Sequence, residues 1–103
     1  MPCEGGIMAF GKKQIGHYLK EVPEWGVVDG KIEREFVFKD FNEAMKFVSI
    51  VGQLAEREGH HPDILVHGYK KVKITLSTHS IGGLSENDFI LAAKIDKLLS
   101  TSR

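Results

Sequence analysis

Cysteine is almost missing from this chain. Cys3 is the only one in 103 residues, so no internal disulfide and no Cys₂ or Cys₄ zinc site can form. That usage fits a reducing compartment, and a cytoplasmic location is expected. Net charge is missing too: 14 Lys and Arg balance 14 Asp and Glu, which argues against a nucleic-acid binder acting through a broad basic face. No apolar run approaches the roughly 20 residues needed to span a bilayer. The N-terminus, Met1-Pro2-Cys3-Glu4-Gly5-Gly6, lacks a basic region followed by an apolar one, so no secretory signal is expected. Internal repeats, a G-x-S-x-G elbow and the phosphate-loop and dinucleotide fingerprints are absent as well, and Gly82-Gly83 does not stand in for them.

What is present suits one small globular domain. Apolar residues make up 42% and charged residues 27%, and the length allows a single core. Residues 1–10 read as a flexible Gly-rich tail, and residues 11–103 as the domain.

Ile15, Leu19 and Val22 recur at helical spacing and predict a first helix over Lys12–Val22, ended by Pro23. Trp25–Val28 is expected as a short strand. Asp29-Gly30 then makes a tight hairpin, because a type I′ turn needs positive φ. Lys31–Phe38 alternates, with Ile32, Phe36 and Phe38 on one parity and Glu33 and Glu35 on the other. Arg34 falls on the apolar parity, which implies an edge position or a functional role.

Asp40, with Glu43 three residues on, predicts a helix start, and Gly59 followed by Pro62 predicts its end. Within this helix Phe41, Ala44, Met45, Val48, Val51 and Ala55 form one apolar stripe. Phe47, Ile50 and Leu54 form a second. The combined arc is wider than one buried face needs, so part of it is a candidate subunit contact. Ile64–Val66 and Lys71–Thr78 read as two strands joined near His67-Gly68. Ser85 with Asp88 repeats the capping pattern, with Leu84 and Phe89 placed as a hydrophobic staple. A last helix runs to about Leu99. The expected class is therefore α+β: a four-stranded antiparallel sheet in α-β-β-α-β-β-α order, with helices packed on one face.

Three of the five histidines lie in two short blocks, His60-His61-Pro62 and Ser77-Thr78-His79. Imidazole titrates near neutrality, so clustered histidines are candidates for proton transfer or metal binding. Adjacent histidines diverge and rarely ligate one ion, and no H-E-x-x-H spacing occurs, so no metal is expected. A structural reading also exists, since a His beyond a helix C-terminus can satisfy the last carbonyls. That reading is kept for His17 and His67. Glu56 precedes His60 by one helical turn and is a candidate carboxylate partner for it, or simply part of a solvated face. Asp88 has a capping role of its own.

The ordered set is more specific than its parts. Glu56-x-x-x-His60-His61-Pro62, an aromatic at Tyr69, Val72-x-Ile74-x-Leu76-Ser77-Thr78-His79 and Gly83-Leu84-Ser85-x-x-Asp88 resemble the pterin-4a-carbinolamine dehydratase family. So do Phe36-x-Phe38-x-x-Phe41-x-x-Ala44-x-x-Phe47 and Trp25. The likeness covers about residues 18 to 99. Two departures stand out: Lys70 follows Tyr69 where the family commonly has Asn, and the Pro62–Tyr69 segment is slightly longer than in the animal enzymes.

The resemblance implies a dehydratase that converts 4a-hydroxytetrahydropterins to quinonoid dihydropterins and so recycles the cofactor of aromatic amino-acid hydroxylases. It implies no metal and no cofactor, the pterin being the substrate, and a homodimer or homotetramer. Carried over by motif, His60, His61 and His79 are the active-site histidines, and Glu56 and Asp88 are supporting acids. Gly59, His60, His61, Pro62, Ser77, Thr78, His79, Ser80 and Trp25 line the pterin. Animal members also serve as a dimerisation cofactor for a homeodomain transcription factor. A scaffold, or a protein that binds pterin without turnover, is therefore the alternative.

Overall fold

The computed structural model describes residues 11–78 and 83–101, and for 100 and 101 the backbone alone. The expected flexible tail with Cys3, together with His79, Ser80 and Gly82, lies outside the described residues. The elements are α1 (Lys12–Leu19), β1 (Gly26–Val28), β2 (Lys31–Val37), α2 (Phe41–Glu58), β3 (Asp63–His67), β4 (Lys71–Leu76) and α3 (Glu86–Thr101). The class and the element order are those expected. The four strands form one antiparallel sheet in the order β1-β2-β4-β3.

Local chemistry explains most boundaries. Asp29 and Gly30 both have positive φ, 51° and 75°, as the β1–β2 turn requires. The Asp40 side chain accepts a hydrogen bond from Glu43 N–H at 2.9 Å and starts α2. Gly59, at φ 65°, stops it. α1 is shorter than the periodicity suggests. After Leu19 the chain enters successive turns, with Val22 N–H donating to Leu19 O and Trp25 N–H to Val22 O. Val22 still reaches the core, but from a turn. The β3–β4 turn falls at 68–70, with positive φ at Gly68 and Tyr69, and β4 ends at Leu76 rather than Thr78.

One face of the sheet is apolar. Ile32, Phe36, Val72, Ile74 and Leu76 are buried against Ala44, Phe47, Val51 and Leu54 of α2 and Phe89, Leu91, Ala92 and Ile95 of α3. The other parity carries Glu33, Glu35, Lys71, Lys73 and Thr75, so the helices lie on one side only.

Arg34 sits where β2 runs past β1, whose pairing stops at Glu33, so it is paired on one side only, opposite Ile74 of β4; its guanidinium lies 4.4 Å from the Phe36 ring centroid. It bonds Asp96 of α3 at 2.7 Å, which satisfies a charge that faces the helix layer. On α2 the buried face holds Ala44, Phe47, Val51, Leu54 and Ala55, while Phe41, Met45 and Ile50 remain exposed. No helix among the described residues is long and apolar enough to cross a membrane.

Candidate active site

The C-terminus of α2 delivers His60. Gly59 N–H donates to Glu56 O and His60 N–H to Ala55 O, closing the helix with a paired set of bonds that needs a left-handed residue between them. The turn swings the His60 side chain away from the α2 axis and toward the start of α3. There His60 Nε2 lies 2.6 Å from Asp88 Oδ1. The imidazole is 17% exposed and the carboxylate 0%.

Asp88 is held from three directions. Ser85 N–H and Thr78 Oγ1–H both donate to Oδ2 at 2.9 Å, and His60 faces Oδ1. Thr78 also contacts Ser85 Oγ at 2.8 Å. Asp88 N–H returns a bond to Ser85 O at 3.1 Å. The expected cap is therefore present, but one carboxylate does two jobs: Oδ2 caps α3 and Oδ1 faces the imidazole. A carboxylate without exposed surface is tolerated only when its acceptor sites are filled, and here both oxygens are. Thr78 is fixed in turn by a bridge to Gly83, with Thr78 N–H donating to Gly83 O at 2.8 Å.

The remaining expected residues distribute as follows. His61 is exposed and pairs with Glu56, also exposed. Glu56 is thus the partner of His61, not of His60. The one-turn spacing does not carry past Gly59, where the backbone leaves the helix. Gly59 is exposed, and Pro62 and Ser77 are half-buried beside this group in the chain. Trp25 is elsewhere. It is 4% exposed, packs edge-on against Phe36 and donates its indole N–H to Asp96 Oδ1 at 3.0 Å. Asp96 lies about two turns, roughly 12 Å, along α3 from Asp88. His67 pairs with Glu35 at 2.7 Å across the helix-free face.

Two features escaped the sequence reading. The Ser85 hydroxyl joins the Asp88 group through Thr78, although Ser85-x-x-Asp88 signalled only a cap. Lys94 bonds Glu58 at 2.8 Å and ties α3 to the end of α2 beside His60. A cleft of about 100 Å³ opens there, lined by Glu58, Gly59, His60, Asn87, Ile90 and Leu91. A larger one, about 280 Å³, is lined by Phe38, Glu43, Lys46, Phe47, Ile50, Leu98 and Leu99 and contains no histidine.

A sheet backed by helices, with an imidazole and a buried carboxylate where two helices meet, defines a small α+β protein with a histidine–carboxylate pair. Comparison with known proteins narrows this. The family model described as Pterin 4 alpha carbinolamine dehydratase matches residues 8–98, and the chain belongs to that family. A protein of Alkaliphilus metalliredigens, provisionally named pterin-4-alpha-carbinolamine dehydratase, is 50% identical over 94% of this chain and 88% of its own length. A counterpart from Nitrosomonas eutropha with the same provisional name is 46% identical over 95% and 87%. Among solved structures, a transcriptional coactivator/pterin dehydratase of Brucella melitensis superimposes with a TM-score of 0.81 at 33% identity, covering 87% of this chain and 97% of the other. A pterin dehydratase-like protein identified as a RuBisCO assembly factor in the alpha-carboxysome gives a TM-score of 0.59 at 25% identity, covering 72% and 84%.

Proposed function

We propose that this protein dehydrates a 4a-hydroxytetrahydropterin, a tetrahydrobiopterin derivative or close analogue, by histidine acid–base catalysis. In the reaction the C4a–O bond breaks and the oxygen leaves as water after taking a proton. N5 loses its proton, and its electron pair forms the N5=C4a bond of the quinonoid dihydropterin. An acid must stand near the oxygen and a base near N5, and positioned groups of this kind contribute on the order of 10²–10⁴-fold each. His60 and His79 act as acids, and His61 positions the pterin or serves as base. Glu56 supports His61. Asp88 supports His60. Gly59-His60-His61-Pro62 and Ser77-Thr78-His79-Ser80 line the pterin. The reaction needs no metal and no further cofactor.

The observation that carries this reading is the 2.6 Å contact between His60 and the fully buried Asp88, in a chain of the dehydratase family. A solvated structural histidine does not call for a carboxylate with no exposed surface. The test is direct: dehydration of freshly generated 4a-hydroxytetrahydropterin by the wild-type protein and by His60→Ala. The place of such a reaction is cytoplasmic pterin recycling, downstream of an aromatic amino-acid hydroxylase.

A second reading is a protein–protein role, as a homodimer, homotetramer or scaffold. What favours it is exposed apolar surface on both flanks of the buried face of α2, Phe41 and Met45 on one, 52% and 41% accessible, and Ile50 on the other, 41% accessible. The two readings are compatible, because these residues lie in the first ten positions of α2, away from the end that bears His60.

A further inference from the structure

The donors around Asp88 are ordered. Thr78 has a single hydroxyl proton and gives it to Asp88 Oδ2. At its 2.8 Å contact with Ser85 the Thr78 oxygen therefore accepts, and Ser85 Oγ–H donates. Ser85 N–H fills the second position on the same Oδ2. With two donors on Oδ2 and an imidazole nitrogen on Oδ1, a carboxylate that accepts everywhere satisfies the whole group. Its partner nitrogen must then be a donor.

We propose that the Ser85–Thr78–Asp88 relay fixes the proton of the neutral His60 imidazole on Nε2. Nδ1 is left as the nitrogen that exchanges a proton with substrate. Thr78 and Ser85 are positioning residues: they act on the imidazole only through Asp88. In the dehydration, Nδ1–H of the imidazolium protonates the leaving oxygen, and the ring relaxes to the neutral form with its proton on Nε2. An aspartate that selects a tautomer in this way governs whether the imidazole presents the correct nitrogen. The kinetic half of this inference rests on the dehydratase reading; the tautomer does not.

The test is long-range ¹H–¹⁵N correlation on histidine-labelled protein, at a pH where His60 is neutral and with His60→Gln to assign the signal, alongside dehydration kinetics. The wild type is expected to carry its proton on Nε2. Ser85→Ala, outside the pterin-lining segments, is expected to mix the tautomers and lower kcat roughly tenfold with KM unchanged; Thr78→Val is expected to mix the tautomers and lower kcat as well, and Thr78→Ser to restore both. Should Thr78→Val fail to fold, Ser85→Ala reports on the same relay. A wild-type proton on Nδ1, or variants that leave the tautomer unchanged, would overturn the proposal. An Nε2 proton that is lost in the variants, in a protein that does not dehydrate the carbinolamine, upholds the relay and sinks the dehydratase reading instead.

Discussion

Nε2 of His60 stands 2.6 Å from Oδ1 of Asp88, across 28 residues of chain, and the carboxylate has no exposed surface. The imidazole is held from behind and is partly open in front. Asp88→Asn tests that arrangement. An amide in this position must donate as well as accept, so it conflicts with one of the three donors that Asp88 receives. The expected result is a folded protein, judged by circular dichroism, whose kcat for dehydration falls by about 10²–10⁴-fold. A fall of less than threefold would mean that the pair only holds the fold.

Gly59 sets the direction of His60. Its φ of 65° is costly for any residue with a Cβ, although no atom within 4 Å would obstruct one. Gly59→Ala should therefore cost about 1–2 kcal/mol in urea unfolding, from backbone strain alone. The rate of dehydration should drop as well, because the bond from His60 N–H to Ala55 O depends on the same turn.

Asp96 joins Trp25 and Arg34. Its Oδ1 accepts from the indole N–H at 3.0 Å and from the guanidinium at 2.7 Å. Asp96→Ala leaves both donors without that acceptor in a partly exposed site, and the expected loss is roughly 1–3 kcal/mol. Trp25 is the one tryptophan in the chain, so its fluorescence reports both the local change and the unfolding midpoint.

The exposed flank of α2 that carries Phe41 and Met45 makes a separate prediction about assembly. If a second copy covers these two, the double variant Phe41→Glu, Met45→Glu should lower the mass measured by sedimentation while α-helical content is kept. A wild-type protein that sediments as a monomer at micromolar concentration would remove the oligomer from the account.

Much of the fold was legible because its signals are local. Asp40 and Gly59 bracket α2, and Asp29-Gly30 defines a turn that only a few residues support. Asp88 was legible as a cap for the same reason. What escaped depends on contacts between distant segments. Alternation does not say what an off-pattern Arg34 bonds: it sits on the part of β2 that β1 leaves uncovered, and its partner is Asp96 of α3. Helical spacing put Glu56 with His60, and the left-handed Gly59 gave it to His61. Trp25 matches a family position, but a tryptophan beside a short strand says nothing about which way its ring turns. Here the ring packs on Phe36, with its N–H on Asp96. The Thr78–Ser85 hydroxyl contact could not be foreseen from either residue, because it needs the end of β4 beside the start of α3.

The most direct test of the account is the rate of 4a-hydroxytetrahydropterin dehydration, generated in place and followed by absorbance, with wild-type protein and His60→Ala side by side. The account predicts a fast wild-type reaction that falls by about 10²-fold or more in the variant. A folded wild-type protein that gives no acceleration over the spontaneous reaction, or a His60→Ala variant as fast as wild type, would contradict it.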